Sequence, residues 1–239
     1  MLSKFLKNKK IIIVGPSASS LINKNGNFFD SFDIVIRVNR GVEPTKLYPE
    51  FIGKRTDILY NCMLEKPDNG GIIDVELLKN NNVKYVIYHP DVSFEGICVN
   101  RPPKTLNMNT INKLHSNNIN TQMIDSNFYN SISKQVNCRP NTGFIALFHL
   151  LSFDIKELYI TGYTFYLDGF MNGYKDHVDK EQFRDKCFKS KRHNQKNLWK
   201  FLKEQKQKDS RIKTDKYLER ILNLDNLNND EETIKYVFN

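Results

Sequence analysis

The chain has 239 residues, a length that suits one good-sized α/β domain and leaves little room for two. Hydrophobic residues make up 39% and aromatics 12%, with 16 Phe and 11 Tyr, so a large core can form and disorder is excluded as an account of the whole. The formal net charge of +9 favours anionic partners such as nucleic acid, an acidic membrane surface or a phosphorylated or carboxylated small molecule, with plain lysine-rich composition as the blander explanation.

The first residues, MLSKFLKNKK, are too short and too charged for a secretory hydrophobic region, and no window approaches the ~18 apolar residues of a membrane span. The expectation is a cytoplasmic or peripheral membrane protein. Its start is read as a plain solvated segment or as a small basic element touching a membrane surface. KIIIV (10–14) is short, β-branched and bounded by a turn, which predicts a buried strand, with a short helix following near Ser19 to Lys24. DIVIRV (33–38) and TDILYN (56–61) read as the next two strands, separated by a loop carrying Pro44, Pro49 and Gly53.

IIDVELLKN (72–80) has helical spacing at Ile72, Val75 and Leu78, and VKYVIYH (83–89) is strand-like. TLNMNTINKLHSN (105–117) predicts a further helix and TQMID (121–125) a short strand. NTGFIALFHLLSF (141–153) is apolar nearly all round, with Asn141 and Thr142 placed to cap it, so a buried helix is expected, leading into a buried strand at ELYITG (157–162). His149, inside that helix, is expected to be a satisfied core histidine. The stretch from there to Arg192, rich in Gly, Asp, Lys and Tyr, is a candidate active-site loop or lid. HNQKNLWKFLKEQK (193–206) predicts a helix with Leu198, Trp199 and Leu202 inward, and Gln207 to Asn239 a peripheral helical tail. The β-then-α alternation predicts a single Rossmann-like α/β domain, its mostly parallel sheet flanked by helices on both faces.

In an open parallel sheet, ligands sit at the carboxyl ends of the strands. Two places qualify. One is Gly15-Pro16-Ser17-Ala18-Ser19 after the first strand, and the other is Asn141-Thr142-Gly143 at the start of the apolar helix. Helix N-termini offer unpaired N–H groups and the positive end of the macrodipole, which suit a phosphate or carboxylate. The first turn is neither GxGxxG nor a P-loop, and an ordinary strand-to-helix turn with a serine cap has the same composition. In VIRVNRG (35–41), period-2 spacing puts Arg37 and Asn39 on one strand face near that turn, as fixed donors to a ligand or as a plain strand edge. His89, before Pro90, stands where it would line a cleft at a strand end. Four cysteines, Cys62, Cys98, Cys138 and Cys187, lie far apart with no CxxC pair, which argues against a zinc cluster or a disulfide framework.

Together, IIIVGPSASSL with NFFDSFDIVIRVNRG resembles the large sialylmotif of the eukaryotic-type sialyltransferases, glycosyltransferase family 29. RPNTGFIALFHLLSFDIKELYITGY resembles the small sialylmotif, and HNQKNLWKFL the last, histidine-containing motif, so the resemblance spans most of residues 10 to 205. It implies a single Rossmann-like domain that moves a nonulosonic acid (sialic acid, Kdn or a Kdo-like sugar) from its CMP donor to a glycan hydroxyl, with inversion and without a metal or cofactor. Carried over by position, Gly15, Ser17, Ser19 and Asn39 belong near the donor nucleotide, with Arg37 beside them. Asn141, Thr142 and Gly143 would hold the CMP or the donor carboxylate, and His193 would be the catalytic base. Tyr163, Tyr166, Tyr174 or His177 would donate to the leaving phosphate. Without the resemblance, His193 is a solvated cap residue and His177 sits among loop charges.

The sequence departs from that family at Pro16, where an Asn is usual, and at Asn197 and Leu198, where a Glu follows the histidine. The positions of a disulfide linking the two sialylmotifs correspond to Ile11 or a neighbour and to Ser152, which fits a reducing compartment. Two other functions stay open at this point: a nucleotide-binding relative without turnover, and a basic nucleic-acid-binding protein, although no RNP, KH or helix-turn-helix signature is present.

Overall fold

A computed structural model describes residues 1–67, 69–91, 102–103 and 106–239. Seven strands form one sheet: β1 (Lys10–Val14), β2 (Ile34–Val38), β3 (Ile58–Tyr60), β4 (Tyr85–Tyr88), β5 (Asn120–Met123), β6 (Glu157–Thr161) and β7 (Ile212–Thr214). Their order is β5-β4-β3-β2-β1-β6-β7, and every pairing is parallel. β2 is buried at all five positions, as a strand covered on both faces must be.

Alternation along the strands sends one set of side chains to each face. Ile11, Ile13, Ile36, Tyr60 and Ile160 point into the larger core, filled from α7 (Thr142–Leu151), α9 (Gln195–Lys208) and α10 (Lys216–Asn223). On the other face Ile12, Val14 and Val35 meet Phe29 of α2 (Gly26–Asp30) and Ile52 of α3 (Pro49–Ile52). Further along that face, Leu59 and Val86 meet α4 (Val75–Asn80) and α5 (Met108–Ser116). The result is the expected α/β layered domain.

Several local expectations change. α1 (Leu2–Leu6) buries Leu2 and Leu6 in the large core, so the N-terminal segment is neither a solvated start nor laid out for a membrane surface. No helix among the described residues is long and apolar enough to cross a membrane. The helix expected at Ser19–Lys24 is a single 3-10 turn, Ala18–Leu21. Ile72 lies before its helix and is 78% exposed, because Asp74 caps the N-terminus by accepting from the Leu77 N–H. Thr105, the expected start of α5, falls outside the described residues, as does Cys98. Four helices were not anticipated: α2, α3, which lies in the stretch read as a loop carrying Pro44, Pro49 and Gly53, α6 (Ser126–Gln135) and α8 (Lys180–Lys189). The segment after Gln207 is not peripheral: β7 extends the sheet, and Leu218, Ile221 and Leu227 of the final segment are fully buried. It closes with α11 (Glu231–Phe238).

Candidate active site

Strands are added outward from β1 to β5, and the chain then crosses back to place β6 on the other side of β1. The carboxyl ends of β1 and β6 are therefore the point where ligands bind in sheets of this kind. A cleft of about 650 Å³ opens there, walled by the loops after β1, β2, β3, β4 and β6, by the start of α7 and by α8.

The loops after β1 and β6 are locked together. A Cβ on Gly15 would stand 2.2 Å from the Gly162 carbonyl oxygen, so only glycine permits this approach. The Ser19 N–H donates to Asp168 Oδ2 (2.6 Å), and the Met171 N–H to the Pro16 carbonyl (2.8 Å). The Ser17 hydroxyl lies 2.9 Å from that of Ser19 and 3.3 Å from that of Ser20, all three buried. Pro16 and Ser17 line the cleft, whereas Gly15 and Ser19 brace the loop behind it. After β6, Phe165 and Tyr166 both adopt positive φ (52° and 67°), a strained pair of non-glycine residues at the cleft.

Arg37 is corrected by the structure. It is 1% exposed and faces away from the cleft, its guanidinium donating to Thr56 Oγ1 (3.0 Å) and to the carbonyls of Ile52 (2.6 Å), Gly53 (3.2 Å) and Arg55 (3.3 Å). Burial lowers its pKa to about 10, with Asp30 acting in the opposite direction, so it stays charged near neutrality. Asn39 does line the cleft. Its φ of 49° takes it out of strand geometry, which ends the period-2 alignment with Arg37. Its Oδ1 accepts from the Cys62 N–H (3.1 Å), and its side chain also bonds Tyr174.

At the start of α7, Asn141 Oδ1 accepts from the Phe144 N–H (2.9 Å) and its amide donates to the Tyr166 hydroxyl (3.3 Å). The N–H groups of Thr142 and Gly143, the first of the helix, have no intrahelical acceptor and stand at the cleft wall. Tyr163 packs against Gly143 and donates to its carbonyl (3.2 Å). Burial raises the pKa values of Tyr163, Tyr166 and Tyr174, so all three keep their protons.

His193 lines the same cleft. Its Nδ1 lies 2.7 Å from the Arg139 carbonyl, which can only accept, so Nδ1 carries the proton and Nε2 of the neutral ring keeps a lone pair. Burial, then the nearby Arg139, Arg192 and His89, lower its pKa to about 4, with the Arg139 carbonyl opposing. Asn194 caps α9 by accepting from the Asn197 N–H (3.0 Å), which fixes the backbone next to the histidine. Asn197 itself donates to the Asn137 carbonyl (3.4 Å) and is not a cleft residue. His177 is exposed and not part of the cleft wall.

His89 lines the cleft as expected, neutral, its Nδ1 2.8 Å from the Pro90 carbonyl. The structure also adds residues that the sequence did not mark. Four cations, Arg139, Lys175, Lys186 and Arg192, share the wall with a single carboxylate, Asp91, among the described lining residues. Lys175 is buried, with its ammonium 5.3 Å from the Phe170 ring centroid and 5.6 Å from that of Phe183. Cys62, Cys138 and Cys187 are free thiols. His149 is a core histidine bonded to the Tyr60 hydroxyl (2.8 Å), as expected.

No family model and no curated protein matches the chain. Among solved structures, a mammalian sialyltransferase in complex with Gal-beta-1-3GalNAc-ortho-nitrophenol is similar at 15% identity and a TM-score of 0.44, over 77% of this chain and 66% of that one. A second structure of a mammalian sialyltransferase is similar at 15% identity and a TM-score of 0.45, over 75% of this chain and 64% of that one. The chain thus spans just under two thirds of the length of both.

Proposed function

We propose that the protein is a glycosyltransferase that moves a nonulosonic acid from its CMP donor to a glycan hydroxyl, with inversion and without a metal. The observation that carries this reading is His193: a neutral imidazole lining a cationic cleft at the sheet's switch point, held through Nδ1 by a backbone carbonyl so that Nε2 keeps its lone pair. The acceptor hydroxyl loses its proton as it attacks, and Nε2 takes it. Negative charge grows on the departing phosphate. The N–H groups of Thr142 and Gly143 and the protonated phenols of Tyr166 and Tyr174 are the donors suited to it, whereas His177 stands outside. An incoming anion also offsets the arginines around His193, which raises the imidazole's proton affinity towards the working pH.

The test is CMP release by purified protein from CMP-activated sialic acid, Kdn and Kdo in the presence of EDTA, with and without a glycan acceptor. Turnover that falls 10²-fold or more in His193→Ala, with the melting temperature retained, supports the reading. Turnover undiminished in that variant removes His193 as the base. A CMP-induced rise in melting temperature without turnover of any donor indicates a binder instead of an enzyme.

A further inference from the structure

The backbones of Arg139 and Arg192 meet although 53 positions separate them, the Arg139 N–H donating to the Arg192 carbonyl (2.9 Å), and the Arg139 charge acts against that of Arg192. Both line the cleft beside His193, and no carboxylate pairs with either among the described residues. Arg139 Nε is buried without a hydrogen-bond partner among the described residues. Two like charges held together around an unsatisfied donor are unfavourable in the empty protein, and an anion between them reverses the sign of the interaction. The guanidinium fork matches carboxylate and phosphate oxygens alike.

We propose that the acceptor is an acidic glycan, whose carboxylate or phosphate sits against Arg139 and Arg192 while its hydroxyl meets His193 Nε2. The inference rests on the proposed transfer reaction and deepens it. The residues suited to the donor lie along Ser17, Asn39 and the start of α7, whereas the arginine pair is joined to the base itself: the Arg139 carbonyl orients the imidazole, and Arg192 directly precedes it in the chain. A charge at this place therefore selects the molecule that is deprotonated. The acid group also lifts the electrostatic suppression of His193, so the base strengthens only when the correct acceptor is seated.

The experiment compares lactose, 3′-sialyllactose and galactose 6-phosphate as acceptors with CMP-sialic acid as donor. At least one of the two acidic sugars is expected to exceed lactose about tenfold or more in kcat/KM, and which one does so identifies the acid group. In Arg192→Gln that preference collapses towards one, and Arg192→Lys keeps part of it. Arg192 is exposed, so its replacement leaves folding intact, and a melting curve checks this. Equal kcat/KM for lactose and both acidic sugars overturns the proposal. So does an Arg192→Gln variant that keeps the preference while its donor KM rises, because the pair then holds the donor. NMR titration of the same three sugars without donor separates this inference from the reaction: if no CMP-sugar is turned over, tighter binding of an acidic sugar that is lost in Arg192→Gln still supports an acidic-glycan site. Equal binding of all three refutes it.

Discussion

Lowering the pH should unfold this protein earlier than its carboxylates alone would. His89, His149 and His193 are each held near pKa 4 against an ordinary value of 6.5, in every case chiefly because burial disfavours the charged ring. The unfolded chain takes up protons below pH 6.5, whereas the folded protein does so only near pH 4. The contribution of these histidines is thus fully present above 6.5 and is lost as the pH falls from 6.5 towards 4. At pH 5.5, His89 and His149 together forfeit about 3 kcal/mol. His193, partly open to the cleft, adds less. Asp168, whose burial raises its pKa, works the other way. Against a total stability on the order of 5–15 kcal/mol, the loss is large. Urea denaturation followed by circular dichroism at pH 7.5, 6.5 and 5.5 measures it, and the histidine Cε1 proton shifts give the three midpoints separately. Equal stability at pH 7.5 and 5.5, or midpoints near 6.5, would refute the reasoning.

Two further expectations concern the cleft and its support. In kcat/KM against pH, the acid limb of the free enzyme should lie well below 6.5, and Arg192→Gln should move it upward by removing a like charge. It should stay under 6.5, since burial is the larger cause; brief assays from a neutral stock measure it, and a wild-type limb at 6.5 contradicts the assignment of His193. Arg37→Met should cost about 3–5 kcal/mol by stripping one hydroxyl and three carbonyls of their donor, while CMP affinity of the folded protein stays unchanged. A drop in affinity with stability intact would return Arg37 to the ligand site.

The sheet was legible because its strands are short, β-branched runs buried on both faces. DIVIRV and ELYITG differ from the observed β2 and β6 only at their ends. What failed were inferences that extend a local rule past its domain. Arg37 and Asn39 share a face only while the backbone remains extended, and Asn39 at φ 49° does not. β7 has three residues, too few for alternation to register, although Tyr217, Leu218, Ile221 and Leu222 already carried the inward face of α10. Leu2 and Leu6 stand one helical turn apart, but whether such a stripe meets a core or a membrane depends on the rest of the fold. The arginine pair was invisible for a different reason: each residue reads as one more basic side chain, and only the Arg139–Arg192 backbone bond brings them together.

The same burial that weakens the protein in acid suits the cleft to the proposed chemistry. A histidine in water near pH 7 is partly protonated and solvated. Here His193 is kept neutral by desolvation and by two arginines, so the proposed base is free of its proton before any ligand arrives, at the cost of being weak in the empty cleft. Anionic ligands reverse that cost, because each negative group that enters cancels a charge that suppressed the imidazole. Meanwhile Pro16 lends its carbonyl to Met171, and the Ser17 hydroxyl lies within hydrogen-bonding distance of those of Ser19 and Ser20, so the turn after β1 spends part of its polar capacity on itself and carries no charge. In the proposed reaction, charge recognition therefore falls mainly to the cations and to the start of α7. Under the proposed reaction, a substrate that brought no negative charge would meet a cleft whose cations repel one another and whose proposed base is weakest, so discrimination against it is expected from that electrostatic balance without any steric exclusion.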